Sequence, residues 1–145
     1  MLSAVGGALG AVVAAVVGAL LGAYLQRRHD VRQANDEARR QRKRVLQRLL
    51  NVETALSAIR GGTDPFASKV VNDEVYLLGE DNQKYVDAVT SPLVASSADD
   101  PIIQRLRRAV IDHDLTQIPP AIKLLGLELY GDGYQAPSDG TTSAP

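Results

Sequence analysis

Two histidine–aspartate pairs, His29-Asp30 and His113-Asp114, are the residues best suited to chemistry. An imidazole beside a carboxylate can ligate a metal or move a proton, but either task needs further ligands or a placed reacting group. The remaining candidates are three carboxylate doublets, Asp73-Glu74, Glu80-Asp81 and Asp99-Asp100, and the chain has no cysteine. Disulfides, thiolate metal sites and a cysteine nucleophile are therefore excluded, in keeping with a reducing compartment. No phosphate loop ending in Gly-Lys-Ser/Thr, no His-Glu-x-x-His and no Gly-x-Ser-x-Gly occurs. The doublets fall at expected helix ends, where capping accounts for them. His113 falls near a helix C-terminus, where the macrodipole favours a cation. The sequence assigns no catalytic residue, no metal and no cofactor, and it reads as a non-enzyme.

The element that dominates instead is Leu2 to Leu25, which carries no charge. At 1.5 Å per residue it makes a helix of about 36 Å, enough to cross a hydrocarbon core of about 30 Å. Gly6, Gly10, Ala14, Gly18 and Gly22 recur every fourth residue, with Gly7, Ala11, Ala15, Ala19 and Ala23 in a second row beside them. Val5, Leu9, Val12, Val13, Val16, Val17, Leu20 and Leu21 take the other side and would face lipid. Helices in lipid associate through close backbone approach, which Gly and Ala permit, so the first row is a candidate helix–helix interface. A cleaved signal peptide fits less well, because only Met1, Leu2 and Ser3 precede the apolar run and no basic n-region is present.

Basic residues follow the apolar run at once. Between Gln26 and Arg60 there are ten basic and four acidic residues, whereas from Gly61 onward there are six basic and thirteen acidic. Arg27, Arg28, Arg32, Arg39 and Arg40 are candidate contacts for anionic headgroups. By the positive-inside tendency they place the N-terminus outside and the rest of the chain in the cytosol, at the inner cell membrane. The acidic remainder is expected to be held off the bilayer by like charge. The Arg39 to Arg44 run lacks interleaved aromatics, so nucleic acid is not an expected partner.

Residues 26–60 contain neither Pro nor Gly, so the helix is expected to continue through them and stop at Gly61-Gly62. Up to Arg44 its apolar pattern is poor, which predicts a solvated stalk. From Val45 the stripe widens through Leu46, Leu49, Leu50, Val52, Leu56 and Ile59, as a helix entering a core requires. Thr63-Asp64-Pro65 signals the next start, Gly79 a stop, and Glu80-Asp81-Asn82 a further short helix ended by Ser91-Pro92. A hairpin turning at Asn72-Asp73 is the alternative for residues 66–78. Asp100-Pro101 starts a helix bearing Ile102, Ile103, Leu106, Ala109 and Val110, Ile118-Pro119-Pro120 breaks it, and Ala121 to Tyr130 makes the last. Residues 131–145, rich in Gly, Ser, Thr and Pro, are expected to be disordered.

The expected architecture is all-α. A transmembrane helix at 2–25 runs into a basic helix at 26–60, followed by an acidic helical bundle at 63–130 and a tail at 131–145. In layout this resembles small single-pass membrane proteins with a glycine-zipper-like anchor and an Arg-rich juxtamembrane helix. The resemblance implies a self-associating interaction or adaptor protein, a homo-oligomer in an anionic bilayer with a further cytosolic protein partner. A holin-like or toxin-like permeabilising protein is the alternative.

Overall fold

A computed structural model describes residues 2–94 and 100–136. Among these residues it has four α-helices and no strand: α1 Leu2–Gly61, α2 Ala67–Val89, α3 Pro101–Ile111 and α4 Ile118–Tyr130, with a 3-10 turn at Leu115–Gln117 before α4. The all-α expectation holds, and the hairpin alternative for residues 66–78 does not.

Helix α1 runs unbroken for 60 residues. Its end is set by Gly62, whose φ of 63° is left-handed. Gly62 N–H returns to the Ile59 carbonyl and Thr63 N–H to the Ala58 carbonyl, each at 3.1 Å. This pair of bonds satisfies carbonyls that the helix end would otherwise orphan.

The next helix starts two residues later than its sequence signal. Asp64 Oδ1 accepts from Phe66 N–H at 2.8 Å and shapes a turn, and α2 begins at Ala67 without a side-chain cap. Gly79 does not end a helix as expected, because α2 passes through it to Val89. The reason is packing: a Cβ at Gly79 would stand 3.3 Å from Val110 Cγ1. The glycine lets α2 and α3 approach, and the packing offsets its poor helix propensity of about 1 kcal/mol. Asp100 caps α3 as expected, accepting from Ile102 N–H at 2.8 Å. Pro119 and Pro120 lie in the first turn of α4, where no N–H is needed, so they start that helix; they do not break α3 as expected, because α3 has already ended at Ile111, where the chain turns through the left-handed His113.

Helices α2 and α4 both lie along the distal half of α1, and α3 covers α2 and α4. The core is built on Val45, Leu49 and Val52 of α1, Leu78, Tyr85 and Val89 of α2, Leu106 of α3, and Ile118, Ile122 and Leu125 of α4, all fully buried. Each such aliphatic side chain contributes about 1.5–3 kcal/mol by leaving water.

Three boundaries differ from expectation. Burial on α1 begins at Ala38 and Gln41 and not at Val45, while Ile59 is 44% exposed. The stalk therefore enters the core one heptad early, and its last apolar residue overshoots it. The tail does not begin at Gly131: Tyr134 stacks on Tyr130 with centroids 5.8 Å apart, and Ala136 is buried in the core. Gly126 makes room for this return, since a Cβ there would fall inside the Tyr134 ring. Residues 137–145 of the expected tail lie outside the described residues.

Because α2 and α3 meet at Gly79, Gly79→Leu should lower bundle stability by about 1–3 kcal/mol through overpacking. Gly79→Ala should change it by less than about 0.5 kcal/mol, its better helix propensity offsetting a small shift of Val110. Denaturant unfolding of the full chain in detergent measures both, and a Gly79→Leu variant as stable as the parent would contradict the close contact.

Candidate functional site

The proximal part of α1 makes no packing contact with the bundle. From Gly6 to Leu25 every residue is exposed, and Leu9, Val12, Val13, Val16, Val17, Leu20, Leu21, Tyr24 and Leu25 are 48–67% exposed. This is a long, continuous apolar surface with nothing in the described chain packed on it. Among the described residues this is one helix long and apolar enough to cross a membrane.

A Cβ added at Gly6, Gly10, Gly18 or Gly22 would meet nothing within 4 Å, and Ala14 is exposed with them. On a straight helix a row of every fourth residue is a ridge inclined about 26° to the axis. A second helix could follow it only by crossing, in the right-handed geometry of about −40° that small-residue rows favour.

Seven basic residues between Arg27 and Arg44 on α1, namely Arg27, Arg28, Arg32, Arg39, Arg40, Lys43 and Arg44, are exposed. They divide by height. Arg27, Arg28 and Arg32 lie within about 11 Å of Leu25 along the helix, whereas Arg39 is about 21 Å beyond it. Screening limits attraction by a charged surface to about 8 Å at physiological salt. Arg27, Arg28 and Arg32 are thus the basic residues nearest the apolar segment, and Arg39 and Arg40 stand more than one screening length farther along the helix.

Other charges of the basic segment are used internally. Arg48 Nε meets Asp81 Oδ2 at 3.0 Å and Arg48 Nη1 meets Glu74 Oε2 at 3.1 Å. Hydrogen bonds from Arg48 to Asp81 and then to Glu74 raise the Arg48 pKa further above its ordinary value. Arg42 Nη2 meets Glu128 Oε1 at 2.7 Å. Burial raises the Glu128 pKa more than the Arg42 charge lowers it. The carboxylates Asp73, Glu74, Glu80 and Asp81 thus lie within α2 and cap nothing; of the doublets only Asp100 caps, and Asp99 lies outside the described residues.

Neither histidine is drawn into a cluster. His29 bonds Gln33 at 3.0 Å on the exposed stalk. His113 lies beyond the end of α3 with φ of 51°, a left-handed conformation that costs a non-glycine residue about 1–2 kcal/mol. It stands at the rim of a groove of about 820 Å³ between α2 and α3, lined by Val71, Val75, Tyr76, Val110 and Leu115 among others. Asp114 turns inward on its own segment, accepting from Thr116 and Gln117, and these bonds lower its pKa. Among the described residues no group of three His, Asp or Glu side chains is arranged to hold a metal ion.

One buried polar group is not legible from spacing. Tyr85 is fully buried, and its hydroxyl has no hydrogen-bond partner among the described residues. Burial, then the charges of Asp100 and Glu128, raise its pKa, with Arg42 opposing. A tyrosine by type alone suggests a polar tip near an edge, and only the packing of α2 on α1 puts this one inside. Comparison with protein-family models, with curated proteins and with solved structures gave no match.

The division of the arginines predicts unequal effects on stability. Arg48→Met leaves Glu74 and Asp81, 17% and 13% exposed, without their counter-charge, and should destabilise the bundle by about 1–3 kcal/mol. Arg40→Met should cost less than about 0.5 kcal/mol. Equal losses in thermal unfolding of the two variants would contradict this division.

Proposed function

We propose that the chain is a single-pass, membrane-anchored protein that self-associates through its anchor and carries an interaction bundle on the cytosolic side. The observation that carries this reading is the exposure of every residue from Gly6 to Leu25 on a helix that elsewhere supplies the core. Such a surface is stable in hydrocarbon, where it needs no partner to leave water. Arg27, Arg28 and Arg32 follow within the first turns beyond it, and this supports an N-terminus outside, a bundle inside and contact with an anionic inner leaflet.

Self-association is supported by the open ridge of Gly6, Gly10, Ala14, Gly18 and Gly22, against which nothing in the described chain packs. The role that follows is adaptor-like: a bundle held at a fixed height above the membrane and displayed in more than one copy. The permeabilising alternative gains no support from the anchor, which has no polar side chain between Val5 and Ala23 to line a pore.

Replacing two small residues at the centre of the ridge tests this directly. Gly10→Leu with Gly18→Leu should reduce detergent-resistant oligomers by about tenfold or more, since each blocks the close backbone approach on which helix association in lipid rests. The unfolding midpoint of the bundle should not move. Oligomers that persist unchanged would remove the ridge as the contact.

A further inference from the structure

The four upper basic residues, Arg39, Arg40, Lys43 and Arg44, are exposed and none forms an ion pair within the described residues. On a helix turning 100° per residue they centre opposite the buried stripe of Ala38, Val45, Leu49 and Val52. They form the outward face of α1 at a height the bilayer's field does not reach. Helix α2 has an outward face of the other sign. Asp73, Glu80 and Asp87, seven residues apart, are exposed opposite Val71, Leu78, Tyr85 and Val89, with Lys84 among them.

The grip of Arg48 on both Glu74 and Asp81 sets the relative height of the two helices. Helix α2 returns along α1, so to within about one turn Glu80 is level with Arg44 and Asp87 with Arg39 and Arg40. The two faces adjoin across a shallow groove lined by Arg44, Gln47, Arg48, Asn51 and Asp81. Two copies anchored in one membrane stand at equal height, so the basic face of each is level with the acidic face of the other. Anchors crossing at about 40° near Ala14 leave roughly 30 Å between α1 axes at the level of Arg42, room for the facing α2 helices and their side chains.

We propose that the outward face at Arg39, Arg40, Lys43 and Arg44 binds a second copy of this chain, on the α2 face carrying Glu80 and Asp87, reciprocally in a two-fold pair. The inference rests on the self-association proposed above and adds the surface on which the bundles meet. Charge at such a rim sets orientation and register more than strength: the anchors bring the copies together and the bundles fix how they face.

The absence of native cysteine permits a direct test. Full-length chains carrying Gln47→Cys and differently tagged chains carrying Lys84→Cys are reconstituted together in vesicles of mixed neutral and anionic lipid and treated with a short bis-maleimide. Tyr24→Cys in both copies reports anchor association separately. The expected result is a Gln47–Lys84 link between copies that falls about tenfold when Arg40→Glu and Arg44→Glu are added to the first chain. Glu80→Arg and Asp87→Arg on the second chain should restore it. A link at Tyr24 without one between Gln47 and Lys84, or a link indifferent to charge reversal, would overturn the proposed surface while leaving self-association standing. No link at either place would overturn both. A benzophenone carried at Gln47→Cys that attaches to lipid and not to protein would assign the basic face to the leaflet and overturn the proposal.

Discussion

Everything else in this molecule depends on the continuity of α1. The same 60-residue helix is fully exposed and apolar at one end and supplies the spine of a packed core at the other. Between the two it has neither Gly nor Pro from Gln26 to Arg60, so no hinge separates them. Each residue adds about 1.5 Å and 100°, so the height and rotation of the bundle are set by where the apolar segment sits. A flexible linker would have left the bundle free to turn; a helix does not.

That rigidity changes the meaning of the charges. Counted along the chain, the basic residues look like one collar and the acidic ones like a repelled domain. Placed on a straight helix, the basic residues from Arg27 to Arg48 separate into three groups. Arg27, Arg28 and Arg32 are near the apolar segment, Arg42 and Arg48 hold α4 and α2 through Glu128, Glu74 and Asp81, and Arg39, Arg40, Lys43 and Arg44 face outward. The groups differ in what surrounds them. Internal pairs of limited exposure are costly to break once formed, while the outward group is screened and contributes little to folding.

Much of this is legible in the sequence where local chemistry acts alone. The unbroken α1, its stop at Gly61-Gly62, the Asp100-Pro101 cap and the apolar face of α3 follow from capping, propensity and period. Gly79 misleads because a glycine that ends a helix and one that admits a neighbour look alike until Val110 is known to lie against it. Glu74 and Asp81 pass for helix-end residues for the same reason: their role is fixed by Arg48, distant in sequence. Residues 131–136 have a composition that predicts no order, yet Tyr134 finds the surface that Gly126 leaves bare. In the candidate site the residue types are evident, but the height that divides Arg32 from Arg39 requires a straight helix.

The measurement that tests this continuity most directly is the distance between spin labels at Tyr24→Cys and Ser57→Cys, in full-length chain diluted with unlabelled chain in vesicles. One helix places the two labels about 50 Å apart in a single narrow distribution. A broad distribution, or a main distance below about 40 Å, would mean that α1 bends between its apolar segment and the bundle, and would contradict the account.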